Sequence, residues 1–331
     1  MKDTKHKILT LAALTTIAAG VIHLTNRVIV ASSQLKEMLD FSNHNYYNWR
    51  FGKIYYTKKG KGSPLLLIHD TMPGASGYEW SRVEDQLAQE HTVYTLDLLG
   101  CGRSEKAGIT YTNFLFVQII CDFIKNVIKE KTDIIASGFS CSFVTTAAAY
   151  DKESINKIMF INPVSMISLA QTTTKKDKLF KFFIELPIFG TFIYHIIVSR
   201  ETINDFFLDK LYYNPFHVDK DVLDAYYEAA HKGGYYAKCL YSSQSAKYMN
   251  INIRHAVESI DNSIYIVEGE DEPNGAAIVE AYQKVNPAIE SKPISFNSST
   301  TEEIQVMVEA LVGSSQYIPP VSIHRPARLS M

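Results

Sequence analysis

The chain has 331 residues, 46% of them hydrophobic and 12% aromatic, enough apolar material for one large core or a core carrying a lid. Its 33 basic and 35 acidic residues are spread along the sequence at a formal net charge of -2, so no long-range field gathers phosphate backbones, and nucleic acid is not an expected partner. The four cysteines, Cys101, Cys121, Cys141 and Cys239, form no CxxC pair and stand near no histidine at ligand spacing, which argues against a zinc site or a disulfide framework.

The first thirty residues have a membrane-targeting pattern. Lys2, Lys5 and Lys7 precede an apolar stretch from Ile8 to Ile22 that continues, past His23, Asn26 and Arg27, to Ala31. That is close to the about 20 residues needed to span a bilayer and predicts an uncleaved anchor, with the N-terminus cytoplasmic and the main domain outside. The alternative is a signal peptide with "VIVASS" as its exit site. "FSNHNYYNWR" then reads as a polar link.

From there short β-type runs alternate with helical stretches. "KIYY" and "SPLLLIHD" read as strands, the second a continuous apolar run of the kind buried on both faces of a parallel sheet. The helix-period stretch "YEWSRVEDQLAQE" leads to the strand "TVYTLDLLG", the helix "NFLFVQIICDFIKNVIKE", the strand "TDIIASG", the small-residue helix "SFVTTAAAYD" and the strand "KIMFINP". Alternation of this kind predicts a mostly parallel sheet flanked by helices. It stops near Ser165, gives way to helical, aromatic-rich sequence until about Asn252, and resumes with "NSIYIVEGEDEP" and "KPISFN". An inserted helical lid accounts for that order. The run Leu179 to Val198 is interrupted by Lys181, Glu185, Pro187 and His195, and a lid helix pair suits it better than a second membrane span. The expected organisation is an anchor over 1–32, a linker over 33–49, core over 50–165, lid over 166–252, core over 253–313 and an irregular tail over 314–331.

In "TDIIASGFSCSF" a strand ends at small residues, turns at Ser140 and enters a helix. So tight a turn presents its apex side chain above the sheet, and needs small neighbours where strand and helix backbones nearly touch. Gly138 meets that need, and Ser142 stands where G-x-S-x-G has its second glycine. The alternative role for Ser140 is an N-cap of the following helix. "GCGRSE" is no dinucleotide loop, since its third glycine would fall at Glu105, and "GKGSP" lacks the Gly-Lys-Ser/Thr ending of a P-loop.

Taken with "LLLIHDTMPGASGYEW" and "YTLDLLGCGRSEK", this segment resembles the α/β-hydrolase family of AB hydrolase-1 type, whose members carry an HG-x-x-PG-like loop after one strand and D-x-x-G-x-G-x-S after the next. The resemblance covers residues 50–165 well and the rest loosely, and "DLLGCGRS" is its most specific part. It implies an α/β-hydrolase fold with Ser140 as nucleophile and the backbone N–H groups of Cys141 and of Thr71 or Met72 as oxyanion hole, two donors that stabilise the charge developing in acyl transfer. It places the triad acid at Asp271 or Glu272 and the base near Asn297 or Ser298, where no histidine stands. Three arrangements stay open: His324 folding back from the tail, a lid histidine (His195, His217 or His231), or an incomplete triad. Asp70 replaces the family's loop glycine, and a carboxylate beside an oxyanion site is tolerable only if it points away. His69 is expected to shape the loop as a hydrogen-bonded structural residue. The implied function is a membrane-anchored serine hydrolase cleaving an ester or similar acyl bond of an apolar small molecule, with no metal or organic cofactor. The alternative is a non-catalytic member that binds a ligand or partner in the old pocket.

Overall fold

The computed structural model describes residues 2–39, 45–207, 220–269 and 274–294. Eight strands, β1 (Asn45–Trp49), β2 (Gly52–Lys59), β3 (Ser63–Ile68), β4 (His91–Leu96), β5 (Thr132–Ser137), β6 (Ile155–Ile161), β7 (Ile264–Gly269) and β8 (Glu290–Ile294), form one sheet in the order β1-β2-β4-β3-β5-β6-β7-β8. The β1–β2 and β2–β4 pairs are antiparallel and the other five are parallel. This is the mostly parallel sheet expected from the alternation, in the α/β-hydrolase architecture that the resemblance implies. Strand β3 shows why: Leu66 and Ile68 enter the large core cluster on one face, Leu65 and Leu67 the smaller cluster on the other. Side chains of successive residues point to opposite faces, so only an unbroken apolar run satisfies a strand covered on both.

The helices are α1 (Lys2–Ser33), α2 (Glu84–Leu87), α3 (Asn113–Phe123), α4 (Ser140–Tyr150), α5 (Met166–Leu169), α6 (Lys175–Glu185), α7 (Phe189–Ile197), α8 (Arg200–Phe206), α9 (Lys220–His231), α10 (Lys238–Ser245), α11 (Arg254–Ser259) and α12 (Gly275–Val285). Helices α5 to α10 fall in the predicted insertion between β6 and β7. Among the described residues, His6–Ser33 is the helix long and apolar enough to cross a membrane, with mean hydropathy 1.9. The Leu179–Val198 run is divided between α6 and α7, which meet at 104°.

Three local expectations are corrected. The polar link contains β1, because Tyr47 packs edge-on against Phe123 and the Trp49 indole N–H donates to Asp122 Oδ2 at 2.9 Å, fixing the strand against α3. The helix-period stretch after β3 is a 3-10 turn over Gly77–Trp80 followed only by α2. Its period is spent on bringing Trp80, Val83 and Leu87 under β3, while the Gly77 N–H is held by Asp97 Oδ1 at 2.6 Å. Helix α3 ends in a π-turn over Ile124–Ile128, closed by Lys129 at φ 66°.

Candidate active site

Strand β5 ends at Ser137, the chain turns through Gly138 and Phe139, and α4 begins at Ser140. Gly138 adopts φ +54°, and a Cβ there would lie 2.3 Å from Asp70 Cγ. The glycine is therefore required twice, for its left-handed backbone and for the carboxylate lying against it. Ser140 is fully buried, and its hydroxyl donates to the His69 carbonyl at 2.6 Å. The N-cap alternative is thereby overturned: Phe139 holds the cap position without a side-chain bond, and the Ser140 oxygen is turned towards the loop after β3. Ser142 fills the second-glycine position, its hydroxyl donating to Phe139 O at 2.9 Å and accepting from Asn113 Nδ2 at 3.1 Å.

The loop after β3 carries the departure that matters most. Asp70 Oδ1 accepts the Thr71 N–H at 2.6 Å and the Phe139 N–H at 2.9 Å. The carboxylate does not point away; it occupies amides of the loop and of the β5–α4 turn, the elbow that carries Ser140, including the Thr71 donor predicted for the oxyanion hole. Burial pushes its pKa up, and the two amides oppose that push. A second carboxylate lies behind it. Glu79 Oε2 accepts the Asp70 N–H at 3.2 Å, and burial, with the Asp70 charge adding to it, pushes Glu79 up to about 7. Nothing in the sequence marked Glu79, because its partner is nine residues away and meets it only through the loop's return.

His69 is the structural residue expected. Leu98 N–H can only donate, so Nε2, 3.0 Å away, accepts, and Nδ1 carries the proton given to Asp70 O at 2.5 Å. Both nitrogens are engaged and burial lowers the pKa, so this imidazole is not a free base. The "DLLGCGRS" segment builds the floor beside it. Asp97 accepts the Arg103 Nε and Nη2 at 2.8 and 2.9 Å and the backbone N–H groups of Gly77 and Arg103 at 2.6 and 2.7 Å. Against the upward push of burial, the Arg103 guanidinium holds the Asp97 carboxyl down at about 2.

Of the predicted site residues, Ser140, Cys141, Thr71 and Met72 come together where β3 and β5 end. Cys141 opens the first turn of α4, its thiol donating to Ala136 O at 3.3 Å. Met72 lines, with Thr71, Cys101, Lys106, Tyr194 and Tyr241, a cavity of about 10 Å³, room for one water. Asp271, Glu272, His324 and His217 lie outside the described residues. Of the lid histidines, His195 and His231 stack on each other with ring centroids 4.9 Å apart, His231 Nδ1 donating to Tyr227 O at 2.8 Å. Their remaining ring contacts run to Tyr194 and Tyr227, and neither bonds to the elbow. A larger opening of about 920 Å³ lies at the ends of β6 and β7, lined by Asn162, Met166, Arg254, Glu268, Ile278 and Lys284, and does not include Ser140. Among the described residues no group of histidine, cysteine and carboxylate side chains is arranged to hold a metal ion.

Comparison with known proteins agrees with this fold. Residues 64–183 match the family model described as alpha/beta hydrolase fold. A 2-hydroxy-6-oxo-6-(2'-aminophenyl)hexa-2,4-dienoic acid hydrolase of Metapseudomonas resinovorans is 28% identical over 114 residues, 34% of this chain and 39% of that protein. The soluble epoxide hydrolase of Corynebacterium sp. (strain C12) is 29% identical over 109 residues, 33% of this chain and 37% of that protein. The matched segment thus spans less than two fifths of these relatives' length. The fold likeness reaches further: the crystal structure of a serine hydrolase involved in carbazole degradation superposes with TM-score 0.65 at 17% identity, covering 82% of this chain and 98% of that one.

Proposed function

Because the chain belongs to the α/β-hydrolase fold family, we propose that it is a hydrolase of serine mechanism, attached to a membrane by α1, that cleaves an ester or similar acyl bond of an apolar small molecule. The observation that carries this reading is the position of Ser140, at the first turn of α4 behind a left-handed Gly138, with the Cys141 amide next to it and its hydroxyl on the loop after β3. Ser140 is the nucleophile in this reading, and Asp271 or Glu272 with His324 or another histidine completes the triad. The length of α1, its mean hydropathy of 1.9 and the lysines before it support an anchor with the N-terminus cytoplasmic. An apolar substrate suits an aromatic lid packed against that helix. A fluorophosphonate probe tests the proposal: covalent labelling that disappears in Ser140→Ala supports it, and no labelling of the wild type at any pH sinks it.

Asp70 favours a second reading, a binding protein in which the elbow no longer turns over. A resident carboxylate on the Thr71 amide takes a donor that a substrate oxygen would need in an enzyme, and its bond to the Phe139 amide holds it there. The same probe separates the two readings. If labelling occurs, His324→Ala, His195→Ala, His217→Ala and His231→Ala identify the base.

A further inference from the structure

Helix α6 is built inside out. Its protein-facing side carries charge beside the buried Ile184: Lys181, only 8% exposed, pairs with Glu185, whose Oε1 also accepts the Ser242 hydroxyl of α10 at 2.7 Å. Asp177, on the same side, pairs with Lys247 at 3.4 Å. Its outer side carries Leu179, Phe182 and Phe183, with Phe182 59% exposed, and Phe180 stands at the edge of that side with its ring against Tyr241. A helix bathed in water places these residue types the other way round. Helix α7 extends the exposed apolar side, with Phe189, Ile193 and Ile196 in a stripe and Thr191, Tyr194 and His195 buried beneath. Seven large apolar side chains on two adjacent helices make a patch that single exposed leucines elsewhere do not.

The same patch adjoins α1. Along the second half of α1, Ala19, Ile22, Asn26 and Ser33 turn inward, and Asn26 Nδ2 donates to Ile188 O at the α6–α7 junction at 3.0 Å. The opposite side, Ile17, Val21, Leu24 and Val28, is bare. Beyond α1 the chain is strapped along α9: Lys36 pairs with Asp224, and the Met38 N–H donates to Glu228 Oε2 at 2.7 Å. Asn26 lies seven residues before Ser33, roughly 10 Å along the helix axis at 1.5 Å per residue. If α1 crosses a bilayer, the α6–α7 junction sits at the depth where the apolar part of α1 gives way to Asn26 and Arg27.

Resting on the reading of α1 as a membrane helix, we propose that the outer face of α6 and α7 is a second membrane contact, lying in the headgroup–acyl boundary of the leaflet where α1 ends. The 104° bend and the inward Lys181–Glu185 pair suit an element lying in the interface, not a span. Lys175, Lys176 and Lys178, exposed at the start of α6, reach lipid phosphates while the phenylalanines enter the acyl layer. Helix α7 then separates bilayer from elbow, since its inner Tyr194 lines the small cavity shared with Thr71 and Met72.

The test uses the full chain carrying Cys121→Ser, reconstituted in phosphatidylcholine–phosphatidylglycerol vesicles, with an environment-sensitive fluorophore on single cysteines at Phe182→Cys, Ile193→Cys, Leu14→Cys and Tyr150→Cys. Phe182 and Ile193 labels are expected to lose emission with nitroxides high on the acyl chain and to resist aqueous iodide. The Leu14 label should be quenched by deep nitroxides, and the Tyr150 label only by iodide. Iodide-accessible lid labels beside a lipid-quenched Leu14 overturn the inference and leave the anchor standing. Lid labels shielded from both quenchers overturn it in favour of a second copy of the chain. An iodide-accessible Leu14 refutes the anchor instead, and with lipid-quenched lid labels the docking face stands without it.

Discussion

The Asp70 carboxylate should hold the elbow back, and its removal gives the most direct measure of that. An oxyanion taking the Thr71 amide would lie about 4 Å from Asp70 Oδ1, which is itself 2.6 Å from that nitrogen. Two unit charges at about 4 Å repel by about 4 kcal/mol at an effective dielectric of 20, and 1.36 kcal/mol is tenfold in rate. Asp70→Asn keeps the shape and removes the charge, so fluorophosphonate labelling of Ser140 is expected to accelerate about 10²- to 10³-fold at a pH where Asp70 is ionised. Asp70→Gly, which also frees the amides, should accelerate it at least as much. Burial raises the Asp70 pKa, so the wild-type carboxyl becomes neutral as pH falls through that raised value. The rate ratio of Asp70→Asn to wild type must therefore shrink towards one at low pH and grow as pH rises. Folded variants that label at the wild-type rate, or a ratio independent of pH, would refute the electrostatic argument.

Four further outcomes follow from the same contacts. Ser140→Ala removes the bond to His69 O and should lower stability by about 1 kcal/mol in urea denaturation while abolishing labelling. Gly138→Ala places a Cβ 2.3 Å from Asp70 Cγ at φ +54°; it should cost about 3 kcal/mol or more, and a double-mutant cycle with Asp70→Gly should recover part of that loss. Glu79 moves from an ordinary 4.5 to about 7 on folding, so stability is fully present below the unfolded value and falls by about 3 kcal/mol as pH rises to about 7; denaturation of Glu79→Gln at pH 5 and 7.5 should lack that fall. Asp97, held at about 2, contributes stability present above its unfolded value and lost as pH falls towards 2, and Asp97→Asn should cost about 3–5 kcal/mol in a thermal melt by stranding Arg103.

How much of this was legible in the sequence depended on whether the pattern was local. Strands β3 to β6 were readable because burial on both faces demands unbroken apolar runs, as Leu65 to Ile68 show. The elbow was readable because a left-handed turn selects glycine at position 138. Strand β1 was not, since "NYYNW" is half polar and is held by Phe123 and Asp122, more than seventy residues on. The direction of Asp70 was not legible either, because the Phe139 amide that draws it in belongs to another element. Nor was the inversion of α6: hydrophobic spacing gives a helix two faces without saying which one meets protein, and Lys181 settles it only through Glu185 and the α10 hydroxyl.

Two of the departures from the family pattern, Asp70 and Ser142, are parts of one arrangement. The Asp70 carboxylate needs a bare Gly138 to lie against, and the turn it steadies is held from the other side by Ser142, which takes Phe139 O and is fixed by Asn113. Phe139 thus has its N–H on Asp70 and its C=O on Ser142, and the residue before Ser140 is clamped at both ends. The Ser140 hydroxyl closes the circuit on His69 O, next to the carbonyl that takes the His69 proton. In the proposed reaction the Ser140 proton would have to leave that carbonyl for a base, and the Thr71 amide would have to exchange a carboxylate for the substrate oxygen. A neutral Asp70 gives up the amide more readily than an ionised one, because a charge-assisted hydrogen bond is about twice as strong as a neutral one. In the proposed reaction an apolar acyl chain entering the site would exclude water from Asp70, which acts in the same direction as the burial that already raises its pKa and favours the neutral form. That reaction would couple substrate burial and release of the amide through one proton on Asp70, and the pH dependence of Asp70→Asn relative to wild type tests that coupling.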